Sequence, residues 1–357
     1  MKKSFQHNTH YTVEDKVQSP VKDQCVLSTC HLQGWASVLE SDQAKRTGKM
    51  IEISTEYAAI YHWIFEATGL IAREGGDHPK SVELAATGEY SRSLFQKFGV
   101  VPASVWRSKI PFEKEWVSRM ERYIHNIVIR TRVAMQAETN QEKRTAIRHK
   151  STDLIIKAFE DQVGALPEKF VFDGKSYDPG SFQRAYFPEI SESLLSVQIN
   201  PVRSMETDAY SNEDDVWVQA KFDDFEHAVK KQLDGGRSVF LMYDHYKEFV
   251  DLKTGIMSIA AFKFPTEGRP LSRHERRSVG LNDMGHVVAI TGYDLDPRTG
   301  KVEKWKIKNS WGAEAGDRGY FHMYRDYFRS FARVIFLPRA DALSLVSAGK
   351  SQTTSVK

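Results

Sequence analysis

Hydrophobic spacing along the 357 residues changes character once, and that change limits the chain to folds with separate helical and strand-built parts. Up to the Gly235-Gly236 pair, apolar residues recur three and four positions apart. Leu32, Trp35, Ala36 and Leu39 mark one buried face of a helix that Ser28 or Thr29 can cap, which puts Cys30 in its first turn. Residues 113–137 carry Ile124, Ile127, Val128 and Met135 at the same spacing, and Leu154, Ile155, Ala158, Phe159 and Val163 repeat it. Asp173-Gly174, in the middle of Phe170–Tyr177, predicts a hairpin. A further helix runs from near Asp223 through Phe225, Ala228, Val229 and Leu233. Beyond it, Val239–Tyr243, Val287–Ile290, Trp305–Asn309 and Val334–Leu337 read as short strands between turns.

Composition narrows the function. Lys+Arg 50 against Asp+Glu 47 leaves a net charge of +3, so charge indicates neither a nucleic acid nor an anionic membrane as partner. The N-terminus lacks the apolar stretch of a signal peptide, which predicts a cytoplasmic protein, with secretion left open. Cys25 and Cys30 are the two cysteines, too few for a disulfide framework, so cysteine chemistry is concentrated in one segment. No cofactor and no metal is called for.

Three residues carry chemical interest. A thiol at a helix N-terminus, as predicted for Cys30, meets unpaired N–H groups that favour thiolate, although most free cysteines are small buried hydrophobes. In Trp305–Asn309, alternation puts Trp305, Ile307 and Asn309 on one face and Lys306 and Lys308 on the other. With the lysines outside, the Asn309 amide points inward and needs a partner, either a backbone group or an imidazole. His286, at the start of the Val287–Ile290 strand, supplies an imidazole.

In order, Pro20-Val21-Lys22-Asp23-Gln24, Cys30 six positions after the Gln, Gly285-His286, Asn309-Ser310-Trp311-Gly312 and Gly319-Tyr320 resemble the papain-like cysteine peptidases. Within that group the chain is similar to the bleomycin hydrolase and aminopeptidase C branch. The stretches Lys97–Pro102 and Leu154–Phe187, the long spacer from Gly255 to His286, and Trp305–Trp311 carry that likeness, which spans roughly Val17 to Leu337.

The resemblance implies an α+β fold of two lobes, a helical L-lobe and an R-lobe that is an antiparallel β-barrel. On this reading 1–114 form the N-terminal segment and L-lobe, 115–215 a helical and hairpin insertion, 216–340 the R-lobe, and 341–357 a flexible tail. It implies Cys30 as nucleophile, His286 as general base and acid, Asn309 as the residue orienting the imidazole and Gln24 as oxyanion donor, with Trp311 covering the His286–Asn309 hydrogen bond. It also implies Trp311 as a substrate-binding residue, and a thiolate–imidazolium pair in which the thiol pKa falls to about 3–4.

Peptide or protein substrates follow. In that branch the chain end enters the cleft, giving aminopeptidases within a hexameric cage. The Ser347–Lys357 tail is unlike theirs, so exopeptidase restriction and the cage are expected to be altered, leaving a homo-oligomer open. Two other readings stand beside the peptidase: a transamidase or deamidase using the same residues, and an inactive papain-fold binding protein.

The chain departs from the family in several places. His31 follows the nucleophile where Trp is usual, and Ser28-Thr29 replace a small pair that often contains Gly. Gly75-Gly76 are the expected substrate-binding glycines, but lie farther from Gly99 than is usual, with Gly88 as the alternative. Cys25 has no family role; it is a bystander or a partner that oxidises with Cys30.

Overall fold

A computed structural model describes residues 1–73, 82, 84–199, 216–263, 271–280, 285–347 and 351–355. The chain opens with β1 (Val13–Glu14) and continues through α1 (Cys30–Thr47), α2 (Thr55–Ala72), α3 (Gly88–Phe98), α4 (Lys114–Ala137) and α5 (Gln141–Val163). A hairpin of β2 (Phe170–Phe172) and β3 (Lys175–Tyr177) precedes α6 (Pro179–Tyr186). Then come β4 (Leu194–Gln198), β5 (Val216–Ala220), α7 (Phe222–Asp234), β6 (Val239–Asp244), β7 (Val250–Asp251), β8 (Ile256–Met257) and α8 (Arg273–Ser278). The last part comprises β9 (Gly285–Leu295), β10 (Val302–Lys308), β11 (Tyr320–Tyr324), α9 (Arg325–Phe331), β12 (Ala332–Pro338), α10 (Arg339–Ser347) and β13 (Ser351–Ser355).

Local chemistry explains several boundaries. Asn140 caps α5 by accepting from Lys143 N–H, and Asp178 and Ser181 form a reciprocal capping box behind Pro179 at the start of α6. Asp173 and Gly174 both take positive φ, 46° and 76°, as a two-residue hairpin turn with the right twist requires.

Two cores result. The helical one gathers Trp63, Ile124, Phe159 and Phe182, and the strand-built one gathers Trp305, Ile307, Phe321 and Ile335. The helical core also takes in Phe240, Val287, Ala289 and Phe336 from the sheet, so α1 lies directly on β6, β9 and β12. Trp35 anchors that contact, stacking on Phe240 at 4.5 Å and donating Nε1–H to Gly88 O at 2.8 Å.

The architecture is α+β, but the barrel is not closed. Hydrogen-bonded neighbours run β13-β5-β4-β12-β6-β9-β10-β11-β8-β7, with β1 on β9, and among the described residues β13 and β7 are not paired to each other. The β4–β5 pair is parallel, and β4 pairs antiparallel with β12, so the sheet is extended at one edge instead of being joined to its other edge. β4 comes from the segment expected to be an insertion and is a strand of the main sheet.

Two further expectations change. Residues 351–355 are not a loose tail: they pair antiparallel with β5 over the whole of Ser351–Ser355. That strand lies five strand positions from β9 in the order of the sheet. The lysine face of β10 is not outside either. The N-terminal segment crosses it: Lys308 is buried, donating to Ser19 O and Oγ at 2.7 and 2.9 Å, and Lys306 pairs with Glu14 at 2.8 Å. Desolvation lowers the Lys308 pKa to about 8. No helix among the described residues is long and apolar enough to cross a membrane.

Candidate active site

Thr29 occupies the N-cap position of α1, but its hydroxyl makes no capping bond. Two first-turn N–H groups, those of Cys30 and His31, and the N–H of Val287 on β9 favour the ionised form of the thiol. Cys30 is partly buried at the end of α1, and Val287 is the residue after His286, so sulfur and imidazole are carried by adjoining elements.

Gly34 sets how closely α1 and β9 approach. A Cβ on Gly34 would stand 2.5 Å from Val287 Cγ1, inside any real carbon contact, so only glycine lets the helix sit at this depth. It lies one helical turn beyond Cys30, and nothing in its sequence context marks it.

His286 heads β9 and is buried. Its Nε2 lies 2.8 Å from Asn309 Oδ1, and Ser310 N–H donates to the same oxygen at 2.8 Å. The second bond identifies that atom as the carbonyl oxygen, so Nε2 carries the proton and Nδ1 has its lone pair free. Trp311 stacks on the imidazole, with centroids 4.6 Å apart and planes at 22°. Burial lowers the His286 pKa to about 4, against the raising effect of Asn309, and raises that of the Cys30 thiol to about 11. Desolvation therefore opposes the ion pair implied by the family likeness, and three N–H groups and mutual attraction act in its favour.

Gln24 is fixed from both lobes. Its Oε1 accepts from Ser310 Oγ–H at 2.7 Å, its Nε2 donates to Leu27 O at 2.8 Å, and its backbone N–H donates to Ser310 O at 2.9 Å. Gly312 N–H closes the stitch by donating to Lys22 O at 3.1 Å. Among the described residues, the second amide N–H of Gln24 has no partner.

The structure brings His286, Asn309, Ser310, Trp311 and Gln24 into one hydrogen-bonded and stacked group, with the Cys30 thiol against Val287. Gly75 and Gly76 lie outside the described residues. Gly88, the alternative, starts α3 and is packed on Phe336 and Phe240. His31 is fully buried between Ser91 Oγ and Leu84 O, each at 2.6 Å. Cys25 is exposed at φ 51°, and both thiols are free. Burial and the carboxylates of Asp23 and Glu56 raise its pKa. A cavity of about 470 Å³ opens behind the Gln24–Cys25 loop, floored by Thr29 and Gln33, and it is not lined by His286, Asn309 or Trp311.

Sequence reasoning missed Tyr243 and His245. Tyr243 is paired directly with His286 across β6 and β9, and His245 meets Trp311 edge-on at 5.0 Å. Two polar aromatics near the end of an apolar strand were the available signal.

Residues 203–342 match a model described as the peptidase C1-like family. Aminopeptidase W of Lactobacillus delbrueckii subsp. lactis is 25% identical over 67% of this chain and 59% of its own length. Aminopeptidase C of Streptococcus thermophilus is 25% identical over 64% of this chain and 57% of its own. The chain thus spans less than two thirds of either relative. In fold it is similar to the crystal structure of PepW from Lactobacillus rhamnosis, with a TM-score of 0.76, 18% identity, and coverage of 96% of this chain and 85% of that one. The chain thus has the fold of PepW, and residues 203–342 are similar to the peptidase C1-like family.

Proposed function

We propose that this protein is a cysteine peptidase that hydrolyses peptide bonds through a thioester. The observation that carries this reading is the His286–Asn309 bond, whose oxygen is identified by Ser310 N–H and whose proton therefore leaves Nδ1 free to act as a base.

Cys30 Sγ attacks the scissile carbonyl carbon as its proton passes to His286 Nδ1. The oxyanion is held by the free Gln24 amide N–H and the Cys30 backbone N–H, and removing one such donor typically costs about 10²–10³ in turnover. The imidazolium returns its proton to the leaving nitrogen, the C–N bond breaks, and a thioester remains. Water, deprotonated by Nδ1, then attacks the thioester and releases the acid and the thiol. Trp311 shields the His286–Asn309 bond from water, which strengthens it.

Substrates are peptides or proteins, and the relatives' names suggest removal of N-terminal residues. Two free cysteines fit a reducing, cytoplasmic setting. We take 1–114 as an L-lobe unit and 216–340 as an R-lobe unit with β4 added to it.

The test uses paired fluorogenic peptides, one with a free N-terminus and one acetylated. Cleavage of either, lost in Cys30→Ala, supports the peptidase. Cleavage of the free form alone makes it an aminopeptidase. If neither is cleaved while an added amine is incorporated into a glutamine amide, the transamidase reading replaces it.

A further inference from the structure

β6 ends beside the imidazole of His286. Tyr243 faces His286 in register, with ring centroids 5.7 Å apart, and His245 follows two positions later. The His245 ring stands edge-on to Trp311 at 5.0 Å and 85°, and to His286 at 5.9 Å and 70°. It is buried, and its Nδ1 lies 3.1 Å from the Tyr243 hydroxyl.

That hydrogen bond fixes the tautomer. Tyr243 is buried, and His245 Nδ1 is the one acceptor its O–H meets among the described residues. A buried hydroxyl proton left without an acceptor is costly, so Tyr243 donates and Nδ1 accepts. The ring proton of a neutral His245 is then on Nε2, which has no partner among the described residues. A fixed N–H donor is left next to the proposed general acid and base.

We propose that His245 Nε2–H binds the backbone carbonyl oxygen of the residue just after the scissile bond, making it a specificity-determining residue for the leaving half of the substrate. The inference rests on the peptidase reading. In that reaction His286 hands its proton to the leaving nitrogen, so this nitrogen lies against the His286 ring. The next carbonyl oxygen of the same residue is about 3 Å from that nitrogen by covalent geometry. A second ring one ring-width from His286 is within reach of it, and a neutral N–H matches an uncharged carbonyl. An amine without that carbonyl loses the contact, whereas every peptide or amino acid amide keeps it.

Acyl-enzyme partitioning tests this. The acyl-enzyme is formed from a peptide ester and offered leucinamide or 3-methylbutylamine, which has the same side chain and amine but no carbonyl. The readout for each is the ratio of aminolysis to hydrolysis product. Wild type is expected to favour leucinamide by about tenfold beyond the intrinsic reactivity of the two amines, the size of one good hydrogen bond. His245→Phe keeps an aromatic ring against Trp311 and should abolish that preference, while His245→Gln, whose amide N–H overlays Nε2, should keep part of it. Tyr243→Phe, which frees the tautomer, should fall between them. An acyl-enzyme that forms normally in His245→Phe with the preference intact overturns the role of His245. Absence of any acyl-enzyme burst in wild type overturns the peptidase reading, and this inference with it.

Discussion

The side-chain oxygen of Asn309 holds His286 Nε2 at 2.8 Å while also accepting Ser310 N–H at 2.8 Å, so one amide both orients the imidazole and selects its tautomer. The pair spans the turn after β10 and the start of β9, which are neighbouring strands.

Asn309→Ala removes that selection without disturbing Trp305 or Ile307, which hold the strand in the core. We expect kcat to fall about 10²-fold with KM little changed, as for a group displaced by an ångström from its working geometry. Steady-state kinetics on one peptide substrate checks the split.

Gly34→Ala places a methyl group 2.5 Å from Val287 Cγ1, against an ordinary carbon contact of about 3.5–4.0 Å. Valine is stiff, so the α1–β9 spacing must give and Cys30 moves away from His286. The expected result is a loss of about 10² in kcat/KM. Adding Val287→Ala should recover most of it by restoring room.

Trp311 keeps water from the imidazole, and burial is the main cause of its lowered pKa of about 4. Trp311→Ala admits water and should move that pKa upward, toward the ordinary 6.5. Protonation blocks the base, so the acid limb of kcat/KM should shift to higher pH, and activity at pH 5 should fall relative to that at pH 7. A pH–rate profile of both proteins measures it.

Several of these features could be read from the chain. Helical and strand periods located α1, α4, α5, α7, β6, β9 and β10, because each buries one continuous apolar set. The residues of the candidate site were named through a resemblance, since Gln24, Cys30, His286 and Asn309 stand in motifs similar to those of the papain-like cysteine peptidases. Long-range packing was not legible. Lys308 is buried because residues 11–19 happen to cross β10, Gly34 is required by a side chain more than 250 residues away, and residues 351–355 become a strand by pairing with β5. No local period encodes such contacts.

Cys25 holds φ at 51° with a β-carbon in the left-handed region, a conformation that costs a non-glycine residue roughly 1–2 kcal/mol. Cys25→Gly should therefore raise stability, by up to about 1 kcal/mol after glycine's own entropy cost, and leave activity intact. Thermal unfolding and a peptidase assay of the variant check both halves.

In the proposed function Cys30 is the nucleophile and His286 activates it. An epoxide or iodoacetamide probe at pH 7, followed by peptide mapping, tests it most directly. We predict single labelling at Cys30, fast in wild type and reduced at least tenfold in His286→Ala, with Cys25 slow because burial, Asp23 and Glu56 oppose its ionisation. Labelling of Cys25 ahead of Cys30, or labelling of Cys30 at an unchanged rate in His286→Ala, would contradict the account.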